Sequence, residues 1–139
     1  MPVSLTAKDV MDSKVVIIDG SLSVQDAIQE MVSSDAWSII VEKEGLPMGV
    51  VTDRDIFRRC LGKSFDPTKL KIQDIMTSPI ISVGPGEKLG AIMDIMVQKN
   101  IRRVFVVESG KIVGKITQTK LFDDTIAVME SLSSLRYQM

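Results

Sequence analysis

The sequence of 139 residues contains no histidine. That removes the commonest general base and the commonest metal ligand. Cys60 is the only cysteine, so neither an intrachain disulfide nor a cysteine metal cluster can form. Its place in an amphipathic run points to a buried structural thiol. Aromatics make up 4% of the chain while hydrophobic residues make up 45%, so the core must be aliphatic. No charge of one sign dominates: 17 Lys+Arg stand against 18 Asp+Glu, a net charge of −1. A global basic signal for nucleic acid is missing. No apolar run approaches the ~20 residues that span a bilayer. MPVSLTAKDV lacks the hydrophobic stretch of a signal peptide, so a cytoplasmic location is expected.

What the chain does have is an internal repeat. Asp9-Val10-Met11-Asp12-Ser13 matches Asp74-Ile75-Met76-Thr77-Ser78 at a shift of 65, from 74 − 9. The same shift pairs Gly49 with Gly114, Thr52 with Thr117 and Phe57 with Phe122. Around the second strand the letters match best with a slip of one, Ile40-Val41-Glu42 against Val106-Val107-Glu108. The division expected is 1–62 for the first repeat, 63–70 for a linker, and 71–139 for the second repeat with a C-terminal helix. The linker follows from the polar stretch Gly62 to Lys69, which carries Pro67. Two such units leave no room for a separate catalytic domain.

Each unit reads as strand, helix, strand, strand, helix. Short apolar runs, Val15 to Ile18 and Ile80 to Val83, predict strands. A helical period follows, with Val24, Ala27, Ile28, Met31 and Val32 on one face and Leu89, Ile92, Met93, Met96 and Val97 on the other copy's. Ser23 with Asp26 can cap the first helix. Hairpins turn at Glu44-Gly45 and Ser109-Gly110, and second helices run from Asp53 to Leu61 and from Gln118 to about Leu135. The fold class expected is α+β, two βαββα repeats packed sheet to sheet with pseudo-twofold symmetry. One unit of ~60 residues buries too little surface to be comfortable alone.

The stretch Gly49-Val50-Val51-Thr52-Asp53-Arg54-Asp55 joins a strand to a helix. A helix start offers free N–H groups and partial positive charge, which favours phosphate. A carboxylate beside it can accept two hydrogen bonds from a ribose diol. The plainer reading is a capping box, with Thr52 as N-cap and Asp55 near N3. The two are compatible. Arg102-Arg103 precede a strand, and guanidinium groups suit phosphate, although a solvated strand entry is the plainer reading. Lys99 adds charge one turn upstream.

Together these stretches resemble the CBS-domain family, as a stand-alone tandem pair or Bateman module. The matching pieces are VMDSKVVIID and IMTSPIISV at the repeat starts, GVVTDRDIF and GKITQTKLF at their ends, and NIRRVFVV. The resemblance covers about Leu5 to Ile126. It implies two clefts for adenine nucleotides or S-adenosylmethionine, and a homodimer. In one cleft it implies that Asp55 holds the ribose hydroxyls and Thr52 contacts ribose or α-phosphate. Val50 and Arg54 would flank them, Pro79 and Ile81 would pass the adenine edge, Ile101 would pack on the base, and Arg102 and Arg103 would reach the phosphates. The other cleft, with Val16, Ala36, Trp37, Thr117 and Lys120, departs from the pattern. Lys120 stands where the carboxylate belongs and has no acceptor. Ala36 and Trp37 stand for the arginines. That cleft is expected to be degenerate, either empty or holding a different anion, with Trp37 filling space.

The function expected is a regulatory sensor of AMP, ADP or ATP that requires no cofactor and binds no metal. Its partners would be a second copy and an unidentified regulated protein, with no membrane. Alternatives are a scaffold without nucleotide, an S-adenosylmethionine binder, or an RNA binder using Lys99, Arg102, Arg103 and Lys115. Near-neutral charge counts against RNA. No nucleophile with an adjacent base is visible, so no enzyme is expected.

Overall fold

A computed structural model describes residues 4–138. The chain forms two compact units, one of residues 14–81 and one of residues 1–13 with 82–139. Each holds a three-stranded sheet.

In unit 14–81, β1 (Ile17–Asp19) runs parallel to β2 (Ser38–Lys43), which pairs antiparallel with β3 (Leu46–Thr52). Helix α2 (Val24–Ser33) crosses over between β1 and β2. Ser23 caps it as expected: its hydroxyl accepts from the Asp26 N–H at 3.0 Å, and its own N–H donates back to the Asp26 carboxylate at 3.2 Å. The core is aliphatic, with Ile18, Val24, Ala27, Ile39, Val41, Val51, Ile72 and Ile75 buried around Cys60.

The other unit begins with α1 (Ala7–Val10) and continues with β4 (Ser82–Val83), α4 (Leu89–Lys99), β5 (Arg103–Glu108), β6 (Lys111–Thr117) and α5 (Gln118–Gln138). Strand β4 lies parallel to β5, and β5 antiparallel to β6. Its buried residues include Ala7, Val83, Ile92, Met96, Val104, Val106 and Ile116. Both hairpins turn through two residues of positive φ, Glu44-Gly45 and Ser109-Gly110, as a tight primed turn requires.

Compact units and sequence repeats divide the chain differently. The segment that opens the first repeat pairs with the second repeat's sheet, Asp12 and Lys115 exchanging backbone bonds of 2.8 and 2.9 Å. The segment that opens the second repeat does the converse, Thr77 with Val50 at 2.8 and 3.0 Å. The linker is part of unit 14–81, where Leu70 and Pro67 carbonyls accept from the Val24 and Gln25 N–H groups.

Three expectations are corrected. Val32 is 76% exposed and Val97 78%, and Met93 is exposed too, so the buried helix faces are narrower than the five-residue stripes. The run expected as one helix from Asp53 is α3 (Asp53–Asp55), then a wider π-wound segment to Cys60 and a 3-10 turn to Lys63. The slip of one is absent. Val41 pairs with Gly49 and Val106 with Gly114, Asp53 donates to Trp37 and Gln118 to Arg102, all at the same shift of 65. Arg102 and Arg103 therefore correspond to Trp37 and Ser38, not to Ala36 and Trp37, and Ala36 corresponds to Ile101.

Candidate functional site

β3 ends at Thr52, whose backbone is extended, and the chain turns at once into α3. That turn brings the Thr52 N–H to Asp55 Oδ2 at 3.0 Å, with the Thr52 hydroxyl 3.4 Å from the same oxygen. The capping reading is thus correct. The other oxygen of Asp55 accepts from the Thr77 hydroxyl at 3.1 Å and lies 3.7 Å from Arg59 Nε. Arg59 also donates to the carbonyls of Ile75 at 3.3 Å and Met76 at 2.9 Å. The Asp55 side chain is only 12% exposed. A buried carboxylate needs such partners, because desolvation penalises an unpaired charge heavily.

The result is a small polar cluster on one sheet edge, Thr52, Asp55, Thr77 and Arg59, held by the segment that crosses from the second repeat's start. Thr77 is exposed and Thr52 half-buried, and both hydroxyls are turned to the nearly buried Asp55 carboxylate. Val50 lies beside the cluster, with both backbone groups spent on Thr77. Arg54 is exposed. Pro79 is exposed after a cis bond from Ser78, and Ile81 is half-buried. All six of these predicted residues lie in unit 14–81. Ile101, Arg102 and Arg103 lie in the other unit, Ile101 half-buried, Arg102 exposed, and Arg103 opening β5 opposite Thr117.

Sequence reasoning missed Thr77 and Arg59. Arg59 stands four residues after Asp55, the spacing at which helical side chains meet. Thr77 had no such local signal, since its partner is 22 residues away.

The second motif is built differently. The Lys120 N–H donates to the Thr117 hydroxyl at 3.2 Å, which keeps the cap. The Lys120 ammonium pairs with Asp124 at 2.8 Å along α5, on the surface. Asp12 stands at the position of Thr77. Val16 is half-buried, its carbonyl accepting from the Ile40 N–H, and Ala36 is buried. Trp37 does not fill space: it is 66% exposed.

Among the described residues no group of three or more His, Cys, Asp or Glu could hold a metal ion. No helix among them is long and apolar enough to cross a membrane.

Two α+β repeats in tandem, each ending its sheet in a strand-to-helix turn capped by threonine, define the class. A family model described as the CBS domain matches residues 7–62 and 72–124. The chain belongs to the CBS-domain family, as a tandem pair. It is similar to an uncharacterized protein of Methanocaldococcus jannaschii, 29% identical over 125 residues, covering 88% of this chain and 67% of that one. A second protein of that organism is 30% identical over 113 residues, of which the chain spans only 40%. Among solved structures, an uncharacterized conserved protein from Pyrococcus horikoshii superposes with a TM-score of 0.83 at 28% identity, covering 90% of this chain and 95% of that one. A hexameric CBS-CP12 protein from bloom-forming cyanobacteria superposes with a TM-score of 0.79 at 30% identity, covering 88% and 72%.

Proposed function

We propose that the chain is a regulatory module that binds an adenine nucleotide, AMP, ADP or ATP, through the motif of Thr52 and Asp55, and acts as a homodimer. The observation that carries this reading is the Thr52–Asp55–Thr77 cluster. It sets two hydroxyls and a carboxylate edge at a strand-to-helix turn, the groups a ribose diol needs. Arg102 and Arg103 lie in the other unit, and their guanidinium groups are of the kind that suits phosphate. A bound nucleotide regulates only if it favours one arrangement of the pair or its partner over another.

A scaffold role without nucleotide is the second reading. The observation favouring it is that Asp55 is already engaged by Thr52, Thr77 and Arg59. An ionised carboxylate has about four acceptor sites, so acceptance of a diol remains possible but shared.

Calorimetry separates the two. Asp55→Ala removes two charge-assisted bonds of roughly 1.5–3 kcal/mol each, which predicts an affinity loss of a hundredfold or more. Because Asp55 also supports the fold, Arg102→Ala, an exposed position, is measured beside it and should weaken binding with an unchanged melting temperature. Wild-type protein that binds none of the three nucleotides overturns the nucleotide reading and favours the scaffold.

A further inference from the structure

Single exposed apolar side chains are ordinary, and recurring ones carry information. Phe57 is 65% exposed, and Phe122, its counterpart at the shift of 65, is 67% exposed. Each has a second exposed apolar residue four positions on, Leu61 and Ile126, the spacing at which helical side chains meet. Each unit therefore presents the same short apolar ridge on the helical run that follows its last strand.

What differs is the charge beside the ridge. Residues 53–63 carry Arg54, Arg58, Arg59 and Lys63 against Asp53 and Asp55, a net +2. Their counterparts 118–128 carry Lys120 against Asp123 and Asp124, a net −1, and Glu130 adds to it within α5. Arg58 and Asp123, each next to its phenylalanine, stand at equivalent positions with opposite signs. Both are exposed, and neither makes an ion pair or side-chain hydrogen bond among the described residues. The other carboxylates of the basic run are placed elsewhere: Asp55 is engaged by Thr52, Thr77 and Arg59, and Asp53 lines a concavity beside Ile56. One chain thus carries both halves of a complementary pair. We propose that the basic ridge of Phe57 and Arg58 docks on the acidic ridge of Phe122 and Asp123 of a second copy, so that the first repeat of one copy meets the second repeat of the other. The phenylalanines supply burial, about 150–250 Å² for each aromatic side chain hidden, and the charges set which ridge meets which. In a two-fold pair the contact is made twice. Like against like would instead oppose Arg58 to Arg58 and Asp123 to Asp123. The inference rests on the homodimer part of the reading above and on no bound nucleotide.

Sedimentation equilibrium of the full chain tests it. Wild type should dimerise, and added salt should weaken the dimer. Arg58→Asp and Asp123→Arg each set like charge against like at both contacts, so each should raise the dimer Kd about tenfold or more. Mixed in equal amounts, the two variants form a heterodimer in which both contacts are again opposite in sign, and its Kd should return to near the wild-type value. Mixing cannot rescue a variant that merely fails to fold, so recovery reads the contact itself. A dimer indifferent to both reversals, or reversals that mixing does not rescue, overturns the docking and leaves the homodimer reading standing. So does a mixture of Arg58→Asp with wild type that associates more tightly than wild type alone, since Arg58 would then face its own counterpart. Wild type that stays monomeric up to ~1 mM overturns the docking and the homodimer reading together.

Discussion

Gly49→Ala tests how the repeats exchange their leading segments. A Cβ at Gly49 would lie 2.8 Å from the Thr77 carbonyl oxygen and 2.8 Å from Met76 Sδ. Ordinary contact begins at 3.4 Å, so the crossing segment must retreat by about 0.6 Å, from 3.4 − 2.8. Met76 can swing away, but the Thr77 oxygen is backbone and accepts the Val50 N–H at 3.0 Å. Both Val50–Thr77 bonds are then weakened, at roughly 0.5–1.5 kcal/mol each. Overpacking adds roughly 1–3 kcal/mol. Reduced freedom of the unfolded chain offsets roughly 0.4–1 kcal/mol. The net expectation is a loss of about 1–5 kcal/mol, or roughly 0.5–2.5 M in the urea midpoint for a chain of this size. Gly114→Ala is the matched control. Its Cβ would meet Met11 Sδ at 2.5 Å, a side chain that can move, and the nearest backbone oxygen, Asp12, is at 3.2 Å. It should cost less than Gly49→Ala. A Gly49→Ala midpoint within about 0.5 M of wild type, or a larger loss at Gly114, refutes the reasoning.

Cys60 is fully buried, and burial followed by the nearby Asp66 charge raises its thiol pKa. Alkylation at pH 8 should be far slower in the native protein than in urea-unfolded chain, because the thiolate is the reacting form; equal rates would show an accessible thiol. Lys120→Asp should leave nucleotide stoichiometry at one, whereas Lys120→Asp combined with Trp37→Arg should raise it toward two, both read by calorimetry.

Most of the scaffold was legible. Val24, Ala27 and Met31 are buried as their spacing requires, and the two hairpins turn where glycine allowed. The misreadings have physical causes. At about 100° per residue, Met31 returns to within about 20° of Val24, while Val32 lies about 80° away and leaves the core. The false slip came from matching letters along a strand. In a pleated strand a shift of one reverses every side chain, so the backbone ladder decides correspondence, and it runs through Trp37 and Arg102. The exchange of leading segments left no trace in the sequence. DVMDS and DIMTS are near copies, and nothing local says which sheet each will join. Thr77 was missed for the same reason: its value to Asp55 exists only once that segment has crossed.

The corrected correspondence changes what the second motif means. With no slip, four positions differ together: Asp55 against Lys120, Thr77 against Asp12, Arg102 against Trp37, Arg103 against Ser38. Both guanidinium groups are gone, and the carboxylate at the motif has become an ammonium. Loss of function at one position would leave its partners intact. Here the carboxylate and both guanidinium groups differ at once, and the indole at the position of an arginine lines a pocket together with Asp35 and Asp53. Restoring the carboxylate alone supplies a diol acceptor without any counter-charge for phosphate. A nucleotide then gains one contact and no partner for its phosphates, which is why the single Lys120→Asp variant should not recruit a second molecule and the double variant should. A second site that filled after Lys120→Asp alone would show that the phosphate donors come from elsewhere in the chain.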